Sequence, residues 1–585
     1  MLNGRSPAKF VLISDFNVRN LAPLLARAGN IDPIVAPYGQ VMQILLSRTD
    51  GTWLKDAEGA IVWTSPSSIA GYQHARQNQN WDLEEVLTEV DQFAHDLGAI
   101  PSHIRHIFVA GWSPLHRSES RRGLLDMDPT YGLAALLMRM NLRLCERVRD
   151  DARIHVFDSM RWISTTGAAR ACDTRLWYLT KTPFNVDVFR EAARDFAAAL
   201  RGLRGGARKL LALDLDNTLW GGEVGEIGWQ KLRLGGHDAV GEAFLDFQRG
   251  LQALAHRGVL LALVSKNDEA VALEAIASHP EMALGTEEFA GLRINWNDKA
   301  ANLAALADEL NLGLDAIVFI DDNPAERARI RETLPQVLVP DWPSSPIEFP
   351  AALAALDCFD APFVSDEDRN RAKSYVAERK RREARNLVQS LDDWLDTLEL
   401  RVIVEDLNET NLERASQLLN KTNQFNLRTR RLTTSEFATW ATARGHDSLV
   451  FRVADRFGDY GLVGIAGLRF EPGERAAFVE DLVLSCRVMG RRVEQTMLYT
   501  IAKRARSEGA QKLVADFVPT SRNQPCRSFL EQSGMRCDAA AERFWLDLSG
   551  DLLPPKAIEL IERSNEPHRS SASSGTSADA DESIA

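Results

Sequence analysis

Three runs of apolar residues in the middle of the chain constrain its fold more than any other feature. They read KLLALDLD at 209–216, VLLALVSK at 259–266 and AIVFIDD at 316–322. Each run is almost continuously apolar instead of alternating, which is typical of parallel strands that are buried on both faces. Each also ends in polar residues at its carboxyl end, where open α/β sheets place their ligand sites. The sequence therefore predicts a parallel α/β domain with a functional site at this edge of the sheet.

The rest of the chain predicts further domains, because 585 residues exceed what one hydrophobic core supports. Alternating strand and helix patterns before residue 204 predict another mostly parallel α/β domain. Strand patterns after residue 398, with a helix over 486–509, indicate an α+β unit with a mainly antiparallel sheet. The expected fold class is therefore α/β multidomain. The expected parts are an N-terminal domain at 1–204, the middle domain at 205–348, a charged helical linker with solvated side chains at 349–397, the α+β domain at 398–550 and a polar, disordered tail at 551–585.

Composition and charge argue against several classes of protein. The net charge is −13, whereas proteins whose main function is nucleic-acid binding usually carry a basic surplus. Six cysteines are scattered without a CxxC pair, so neither a zinc site nor a disulfide framework is expected. No run of eighteen apolar residues occurs, and the first residues lack the apolar core of a secretory signal. We expect a cytoplasmic protein that binds neither nucleic acid nor a membrane.

Two carboxylates end the first apolar run, in Asp214-Leu-Asp216-Asn-Thr218. A carboxylate at a strand tip can attack phosphorus to form an aspartyl-phosphate, and a second one two residues on can protonate the leaving oxygen. The two-residue period of a strand places both carboxylates on the same side. We predict Asp214 as the nucleophile and Asp216 as the general acid of a phosphoryl-transfer site.

Polar residues at the other strand tips complete this predicted site. Lys299, in NWNDKAANL, is a cation that can neutralise charge on the transferring group. Asp321 and Asp322 offer hard oxygen ligands for Mg²⁺ alongside Asp214 and Asp216. The expected contacts to the substrate come from Thr218, Ser265, Lys266, Asn267 and Lys299. Each piece is weak alone, but two acidic clusters beside buried strands would be costly without a ligand to balance them.

In this order, and each at its own strand tip, the pieces resemble the catalytic motifs of the haloacid dehalogenase (HAD) superfamily. The flanks are more specific, since DLDNTLWGGEVGEIG, VSKND, RINWNDKAANL and FIDDNPAER are similar to FkbH-like proteins of the HAD-IIIC group. KTNQFNLRTRR, DRFGDYGLVG, SCRVMGRRVE and PTSRN extend the resemblance over roughly 205–548. The short spacing between the first two strand tips leaves room only for a flap at 221–234. The resemblance thus implies a Rossmann-like HAD domain without a large cap.

The resemblance also implies a reaction and its partners. FkbH-like proteins take a glycerate unit from 1,3-bisphosphoglycerate, remove phosphate and load glyceryl onto the phosphopantetheine thiol of an acyl carrier protein in polyketide-type biosynthesis. By this resemblance, the middle domain removes phosphate through Asp214 and the last domain handles acyl transfer. The implied partners are a small phosphorylated metabolite and an acyl carrier protein.

The last domain is similar to the GNAT acyltransferase fold, in which an R/Q-x-x-G-x-G/A turn at a helix start grips the pyrophosphate of CoA. Here the turn reads Arg487-Val-Met-Gly490-Arg491-Arg492, and an arginine replaces its final small residue. We therefore expect Arg487, Gly490, Arg491 and Arg492 to hold the single phosphate of a carrier-bound pantetheine arm in place of CoA.

Cys486 stands immediately before this turn and leaves two interpretations open. At a helix N-terminus a thiol has a lowered pKa and could carry the glyceryl group as a thioester. It could equally be a small residue that packs a strand end, as most free cysteines do. Cys526 is better explained as a packing residue.

The N-terminal domain resembles an SGNH-hydrolase-type domain that lacks the catalytic residues. Ser14-Asp15-Phe16 replaces the GDS motif of the nucleophile, and DTRLW at 173–177 has no histidine where the base would stand. We expect this domain to be non-catalytic, with His103 and His106 as ordinary surface or core residues.

Three functions are compatible with the sequence. The leading hypothesis is a phosphatase that also loads glyceryl onto a carrier protein. The alternative is a plain phosphatase for a small phosphorylated metabolite, with the flanking domains as scaffold. A non-catalytic interaction protein is disfavoured, because all the pieces of the phosphoryl-transfer site are present.

Overall fold

The computed structural model describes residues 7–29, 31–45, 53–115, 122–361, 375–382, 384–385, 390–471, 473–538, 540 and 542–563. The chain divides into two compact units, one comprising 1–259, 264–266 and 296–365, and the other 260–263, 267–295 and 366–585. Among the described helices, none is both long enough and apolar enough to cross a membrane. The expected α/β multidomain class is confirmed, whereas the five-part division of the chain stays a prediction.

The first unit begins with a parallel five-stranded sheet of strand order β2-β1-β3-β4-β5. Its strands are β1 Ala8–Ser14, β2 Ile31–Val35, β3 Gly59–Trp63, β4 His106–Ala110 and β5 Ile154–Phe157. Its helices are α1 Leu21–Ala28, α2 Val41–Leu45, α3 Ala70–Arg76, α4 Leu83–Gly98, α5 Leu133–Val148, α6 Ser159–Thr166, α7 Ala168–Ala171, α8 Thr174–Thr180 and α9 Val186–Leu203. Alternate side chains point to opposite faces of a strand, so Phe10 and Leu12 join one hydrophobic cluster while Val11 and Ile13 join another. Both faces of this sheet are thus covered.

Phe16, at the position of the SGNH nucleophile, is part of the hydrophobic core. Its ring is almost fully buried and packs edge-on against Trp63 and Phe184, with centroid distances of 5.7 and 6.0 Å. Asp173 of DTRLW caps helix α8 through hydrogen bonds from two backbone amides. A serine in place of Phe16 would remove this packing, and the non-catalytic role of the domain stays a prediction.

The middle of the chain contains the predicted buried strands. Its strands are β6 Leu210–Leu213, β7 Leu260–Ser265, β8 Phe289–Ile294 and β9 Ile317–Ile320. Its helices are α10 Val224–Ile227, α11 Ala239–His256, α12 Glu269–Ser278, α13 Lys299–Glu309, α14 Pro324–Thr333 and α15 Phe349–Ala354. Strands β6 and β9 pair in parallel from Leu210–Ile317 to Leu213–Ile320, and every residue of both is buried. Because parallel strands end at the same edge, this register brings together the residues that follow Leu213 and Ile320.

The second unit contains the predicted, mainly antiparallel sheet, ordered β16-β17-β15-β14-β13-β12-β10-β18, with β11 paired to β14. The strands are β10 Leu400–Asp406, β11 Phe425–Asn426, β12 His446–Asp455, β13 Gly458–Phe470, β14 Ala476–Leu484, β15 Lys512–Asp516, β16 Arg536–Asp538, β17 Arg543–Asp547 and β18 Ile558–Arg563. The helices of the same stretch are α16 Leu391–Leu398, α17 Glu409–Lys421, α18 Thr434–Ala441, α19 Val493–Ser507 and α20 Gln524–Gln532. The β14–β15 and β10–β18 pairs are parallel and the others are antiparallel.

Strand β18 corrects the expected start of the polar tail at residue 551. Residues 558–563 pair in parallel with Leu400–Glu405 of β10. Ile558 and Leu560 alternate along this strand and pack against the hydrophobic core of the second unit. The polar composition of the tail hid this short alternating segment, and residues 564–585 lie outside the described part of the chain.

Helix α19 corrects a second boundary, because it begins at Val493 and not at Cys486. Cys486–Val488 form a single 3₁₀ turn, and two residues with positive φ, Gly490 at 74° and Arg492 at 63°, separate that turn from the helix. The left-handed conformation of these two residues interrupts the helix that the apolar spacing predicts.

The charged linker contains a buried ion pair, which corrects the expectation of a solvated spacer. Residues 375–382 are helical, and we call them the linker helix. Arg381 of this helix has a side chain only 3% exposed, and its guanidinium makes two hydrogen bonds, of 2.6 and 2.8 Å, to the fully buried carboxylate of Asp455. The guanidinium also lies 4.1 Å from the ring centre of Tyr460, whose hydroxyl donates to Asp455 at 3.1 Å. The linker helix is therefore anchored to the turn end of the β12–β13 hairpin.

Replacing Arg381 tests this anchor. We expect Arg381→Met to destabilise the second unit by about 3–5 kcal/mol, because it leaves the Asp455 carboxylate buried without its cation. Chemical denaturation followed by tryptophan fluorescence measures the effect. Arg444→Met, at an exposed position, is the matched control. An Arg381→Met transition that coincides with this control would contradict the anchor.

Candidate phosphoryl-transfer site

Three carboxylates meet where strands β6 and β9 end. The amide of Asp214 donates to the carbonyl of Ile320 at 3.0 Å, which continues the strand pairing by one residue. Carboxylate oxygens of Asp214, Asp321 and Asp322 consequently lie within 4.8 Å of one another. Asp214 is 7% exposed and Asp321 is fully buried. Among the described residues, this is the only cluster of its kind that could hold a metal ion.

Lys299 lies inside this acidic cluster. Its Nζ is 2.9 Å from Asp214 Oδ1 and 2.6 Å from Asp321 Oδ2, and its side chain is only 5% exposed. Lys299 is the first residue of helix α13, and the Asp298 carboxylate caps that helix by accepting from the amides of Ala300 and Ala301. Burial alone would lower the pKa of Lys299, but the charges of Asp214 and Asp321 outweigh it and raise the pKa. The lysine is therefore held in its charged form.

The single positive charge of Lys299 does not balance the three carboxylates, and the pKa values of two of them are raised. Burial raises the pKa of Asp321 to about 6, the Asp214 charge acts in the same direction, and Lys299 opposes both. The pKa of Asp322 is raised by the same causes. Oδ1 of Asp214 is buried and contacts Lys299 Nζ at 2.9 Å, and no other described group donates a hydrogen bond to it. Three negative charges and one positive charge, with a buried acceptor oxygen, fit a divalent cation with oxygen ligands.

Backbone contacts fix the Asp321–Asp322 turn. The amide of Asp322 donates to Thr218 Oγ1 at 3.2 Å. Arg327, one turn into helix α14, donates to the carbonyl oxygens of Asp321 and Asp322 at 2.6 and 2.7 Å. Asn323 caps helix α14 by accepting from the Ala325 amide at 2.9 Å. Thr218 is fully buried, so the structure gives it a supporting role, and its expected substrate contact stays a prediction.

Asp216 lies on the same loop but outside the carboxylate cluster. Its Oδ1 accepts from Trp220 Nε1 at 2.8 Å and from the Val224 amide at 3.1 Å. These contacts tie it to the flap, which closes on itself through two backbone hydrogen bonds between Gly221 and Arg233. The general-acid role of Asp216 stays a prediction. Its assignment as a metal ligand is not supported by the cluster.

The three residues at the end of strand β7 differ in their contacts within the chain. Ser265 ends the strand and is 2% exposed. Lys266 pairs with Glu326 of helix α14, with Nζ 2.7 Å from Oε1. Asn267, in the second unit, accepts from the amide of Asp268 at 2.9 Å. Their substrate contacts stay predictions, and Lys266 would have to share its charge between Glu326 and a phosphate.

The turn before helix α19 differs from the expected phosphate grip. The Gly490 amide donates to Glu494 Oε1 at 2.6 Å, so a carboxylate of the same chain takes the place expected for a phosphate oxygen. Burial raises the pKa of Glu494, and its Oε2 has no hydrogen-bond donor. The structure therefore differs from the expectation that the Gly490 amide is available to a phosphate. The sequence offers a signal for this arrangement, because a glutamate four residues after the glycine can fold back over the helix start.

Two arginines of this turn are also engaged within the second unit. Arg491 is 8% exposed, hydrogen-bonds to the Tyr460 hydroxyl and pairs with Glu378 at 3.2 Å. Burial lowers its pKa, although the Glu378 charge opposes this. Arg492 pairs with Asp392 at 2.5 Å. Arg491 is thus a packing residue in place of the expected phosphate ligand, and the phosphate contact of Arg492 stays a prediction.

Cys486 and Arg487 are both exposed, in contrast to Arg491. Cys486 belongs to the 3₁₀ turn and precedes helix α19 by seven residues, so it does not lie at the helix N-terminus where the sequence predicts it. Its exposure argues against the interpretation as a packing residue. Cys526, in contrast, is fully buried, and burial raises its pKa to about 12.

Comparison with solved structures finds a phosphatase domain. The chain is similar to the N-terminal part of the protein BF1531 from Bacteroides fragilis, which contains a phosphatase domain and is complexed with Mg. The TM-score is 0.56 and the identity 25%, over 61% of this chain and 95% of that chain. No protein-family model and no curated protein matches the sequence.

Two acetyltransferases match a smaller share of the chain. A GNAT-family acetyltransferase from Staphylococcus aureus has a TM-score of 0.21 and 8% identity, over 25% of this chain and 99% of that chain. The spermidine N-acetyltransferase from Vibrio cholerae, in complex with CoA and spermine, has a TM-score of 0.20 and 12% identity, over 25% of this chain and 96% of that chain. With such low scores, the α+β region of this chain is described by its own topology alone.

Cation binding tests the charge balance of the cluster, using Mn²⁺ as the probe in titration calorimetry. We expect Asp321→Asn to weaken binding more than about tenfold, because it removes a charged oxygen ligand. We expect Lys299→Met to strengthen binding, because Nζ competes with the cation for Asp214 and Asp321. Asp308→Asn, exposed on helix α13, should bind as the unmodified protein does. If both cluster variants change the affinity in the same direction, the charge balance described above is wrong.

Proposed function

We propose that the chain is a Mg²⁺-dependent phosphatase of the HAD type, with Asp214 as its nucleophile. The observation that carries this proposal is the cluster of three carboxylates, Asp214, Asp321 and Asp322, around the single positive charge of Lys299. The similarity to a phosphatase domain complexed with Mg supports it. Asp214, Asp321 and Asp322 would hold the cation, which supplies positive charge to the transferring phosphoryl group.

In the proposed reaction, Asp214 attacks phosphorus, and the bond between phosphorus and the leaving oxygen breaks. Asp216 gives its proton to that oxygen, and Lys299 neutralises charge on the phosphoryl oxygens. Water then attacks the aspartyl-phosphate and loses a proton to Asp216, which releases inorganic phosphate and regenerates Asp214. Thr218 and Arg327 contribute by fixing the turn that carries the two other carboxylates.

We further propose that the phosphatase step prepares a glyceryl group for an acyl carrier protein. The Cys486 thiolate would attack the acyl phosphate of 1,3-bisphosphoglycerate, forming a thioester and releasing phosphate. The phosphopantetheine thiol of the carrier would then take the acyl group from Cys486. The Asp214 site would remove the phosphoester that remains at the other end of the glyceryl unit. The exposure of Cys486 and Arg487 supports this proposal.

A plain phosphatase for a small phosphorylated metabolite is the second candidate function. A specific observation favours it, namely that Glu494 and Arg491 close the turn expected to hold the pantetheine phosphate. In that case the second unit would act as a scaffold.

The nucleophile assignment is tested with Asp214→Asn. We expect phosphate release from 4-nitrophenyl phosphate to fall by at least about a thousandfold, because an amide cannot form the aspartyl-phosphate. Asp308→Asn should retain full activity. Phosphate release by Asp214→Asn at the unmodified rate would show that another group is the nucleophile.

Carrier loading separates the two candidate functions. The protein is incubated with 1,3-bisphosphoglycerate, Mg²⁺ and a phosphopantetheinylated carrier protein, and the carrier is weighed by mass spectrometry. We expect a glyceryl mass gain that Cys486→Ala abolishes while phosphoester removal continues. The other exposed cysteine of the second unit, Cys537, provides the control Cys537→Ala. No mass gain with active phosphatase would favour the plain phosphatase, and loading by Cys486→Ala would remove Cys486 from the mechanism.

A further inference from the structure

Helix α5 has two apolar faces, and only one of them is buried. The buried face comprises Leu133, Leu136, Leu137, Met140, Leu144 and Val148, which pack into the core beside the five-stranded sheet. The other face contains Met138, Leu142 and Cys145, which we call the α5 stripe. Met138 and Leu142 are 59% and 62% exposed, and Cys145 is exposed as well. Side chains at intervals of four and three residues form a continuous strip along a helix, as in helices that pack against another helix.

The apolar surface continues beyond the N-terminal end of the helix. Gly132 accepts no side chain, because a Cβ there would meet the carbonyl oxygens of Leu125, Asp126 and Asp128 at 2.4–2.7 Å. The preceding loop therefore folds closely onto the start of α5. This loop adds four exposed apolar side chains, namely Leu124, Leu125, Met127 and Tyr131. Exposed apolar side chains grouped in this way are typical of an interaction site.

Charges beside the α5 stripe indicate which partner it fits. Arg139 and Glu146 are both exposed and lie seven residues apart, about two helical turns, so they point in nearly the same direction. Arg143 and Arg147, further round the helix, are already paired with Asp91 of helix α4 at 2.7 Å each. One basic and one acidic side chain at equivalent positions do not complement a strongly acidic partner such as a carrier protein. They do complement a second copy of the same helix in the opposite direction.

We propose that the chain forms a homodimer in which the α5 stripes of two copies pack antiparallel about a two-fold axis. With the axis near Leu142, Arg139 of each copy faces Glu146 of the other, and the two-fold symmetry forms this ion pair twice. The loop before α5 of one copy then lies near the C-terminal end of the other copy's helix. This loop contact enlarges the interface beyond what a single helix pair buries, as a stable dimer requires.

The oligomeric state of the full chain tests the proposal. Sedimentation velocity with a reductant present, over a series of protein concentrations, should show a dimer. Leu142→Glu should yield a monomer, since a buried carboxylate would face its own copy across the axis. Leu179→Glu, at a position 74% exposed on helix α8, is the matched control and should stay dimeric. A monomer for the unmodified chain, or a dimer that Leu142→Glu leaves intact, would overturn the proposal.

Charge reversal tests the antiparallel arrangement. Arg139→Glu and Glu146→Arg should each weaken the dimer by more than about tenfold, because each places like charges opposite one another at two symmetric positions. The double variant Arg139→Glu/Glu146→Arg should restore the affinity. An equimolar mixture of the two single variants should form a heterodimer, since one copy is then acidic at both positions and the other basic at both. Failure of both the double variant and the mixture to dimerise would rule out this arrangement.

Discussion

The contact of Lys299 with Asp214 and Asp321 is the interaction on which the candidate site depends. Placing three carboxylates together, two of them buried, is costly without compensating charge, and the lysine compensates only one of them. Burial, and after it the charge of Asp214, raises the pKa values of Asp321 and Asp322, and Lys299 only partly opposes this. The polar framework around the cluster does not remove the excess negative charge. Thr218 and Arg327 bind the backbone of the turn and leave its carboxylates available for a cation.

The fold provides this geometry through strand register. Strands β6 and β9 are apolar and buried along their whole length, so a shift of one residue would draw a carboxylate from the strand end into the buried apolar region. Their parallel pairing then determines where the next residues lie, and the Asp214 amide continues the ladder to Ile320. The positions of Asp214 and Asp321 thus follow from hydrophobic burial. This explains how strongly unfavourable charges can be held within a few ångströms of one another.

Sequence reasoning succeeded where one local signal determines the structure. A continuous apolar run predicts a buried parallel strand, and the polar residues that end it can then be assigned to one edge of the sheet. It failed where a residue's contact partner is distant in the sequence or lies on a segment that folds back onto it. The RVMGRR pattern predicts a phosphate grip, but Glu494 folds back onto Gly490, and Arg491 pairs with Glu378, which lies more than a hundred residues earlier. Arg381 was likewise expected on a solvated helix, because nothing near it in the sequence indicates that Asp455 is its partner.

Asp214 and Glu494 show why an unpaired buried oxygen alone does not identify a functional site. Each carboxylate is buried and has one oxygen without a donor, apart from the contact of Asp214 Oδ1 with Lys299. The other oxygen of Glu494 accepts a hydrogen bond from the Gly490 amide. Glu494 does not belong to the carboxylate cluster that could hold a metal ion among the described residues. Asp214 lies against two more carboxylates, so its environment carries a net negative charge that internal contacts leave uncompensated. The Glu494 carboxylate is bound by an amide of its own chain, whereas the charge of the Asp214 cluster fits an added cation. The difference between a closed turn and an open site therefore depends on the charge balance of the whole cluster.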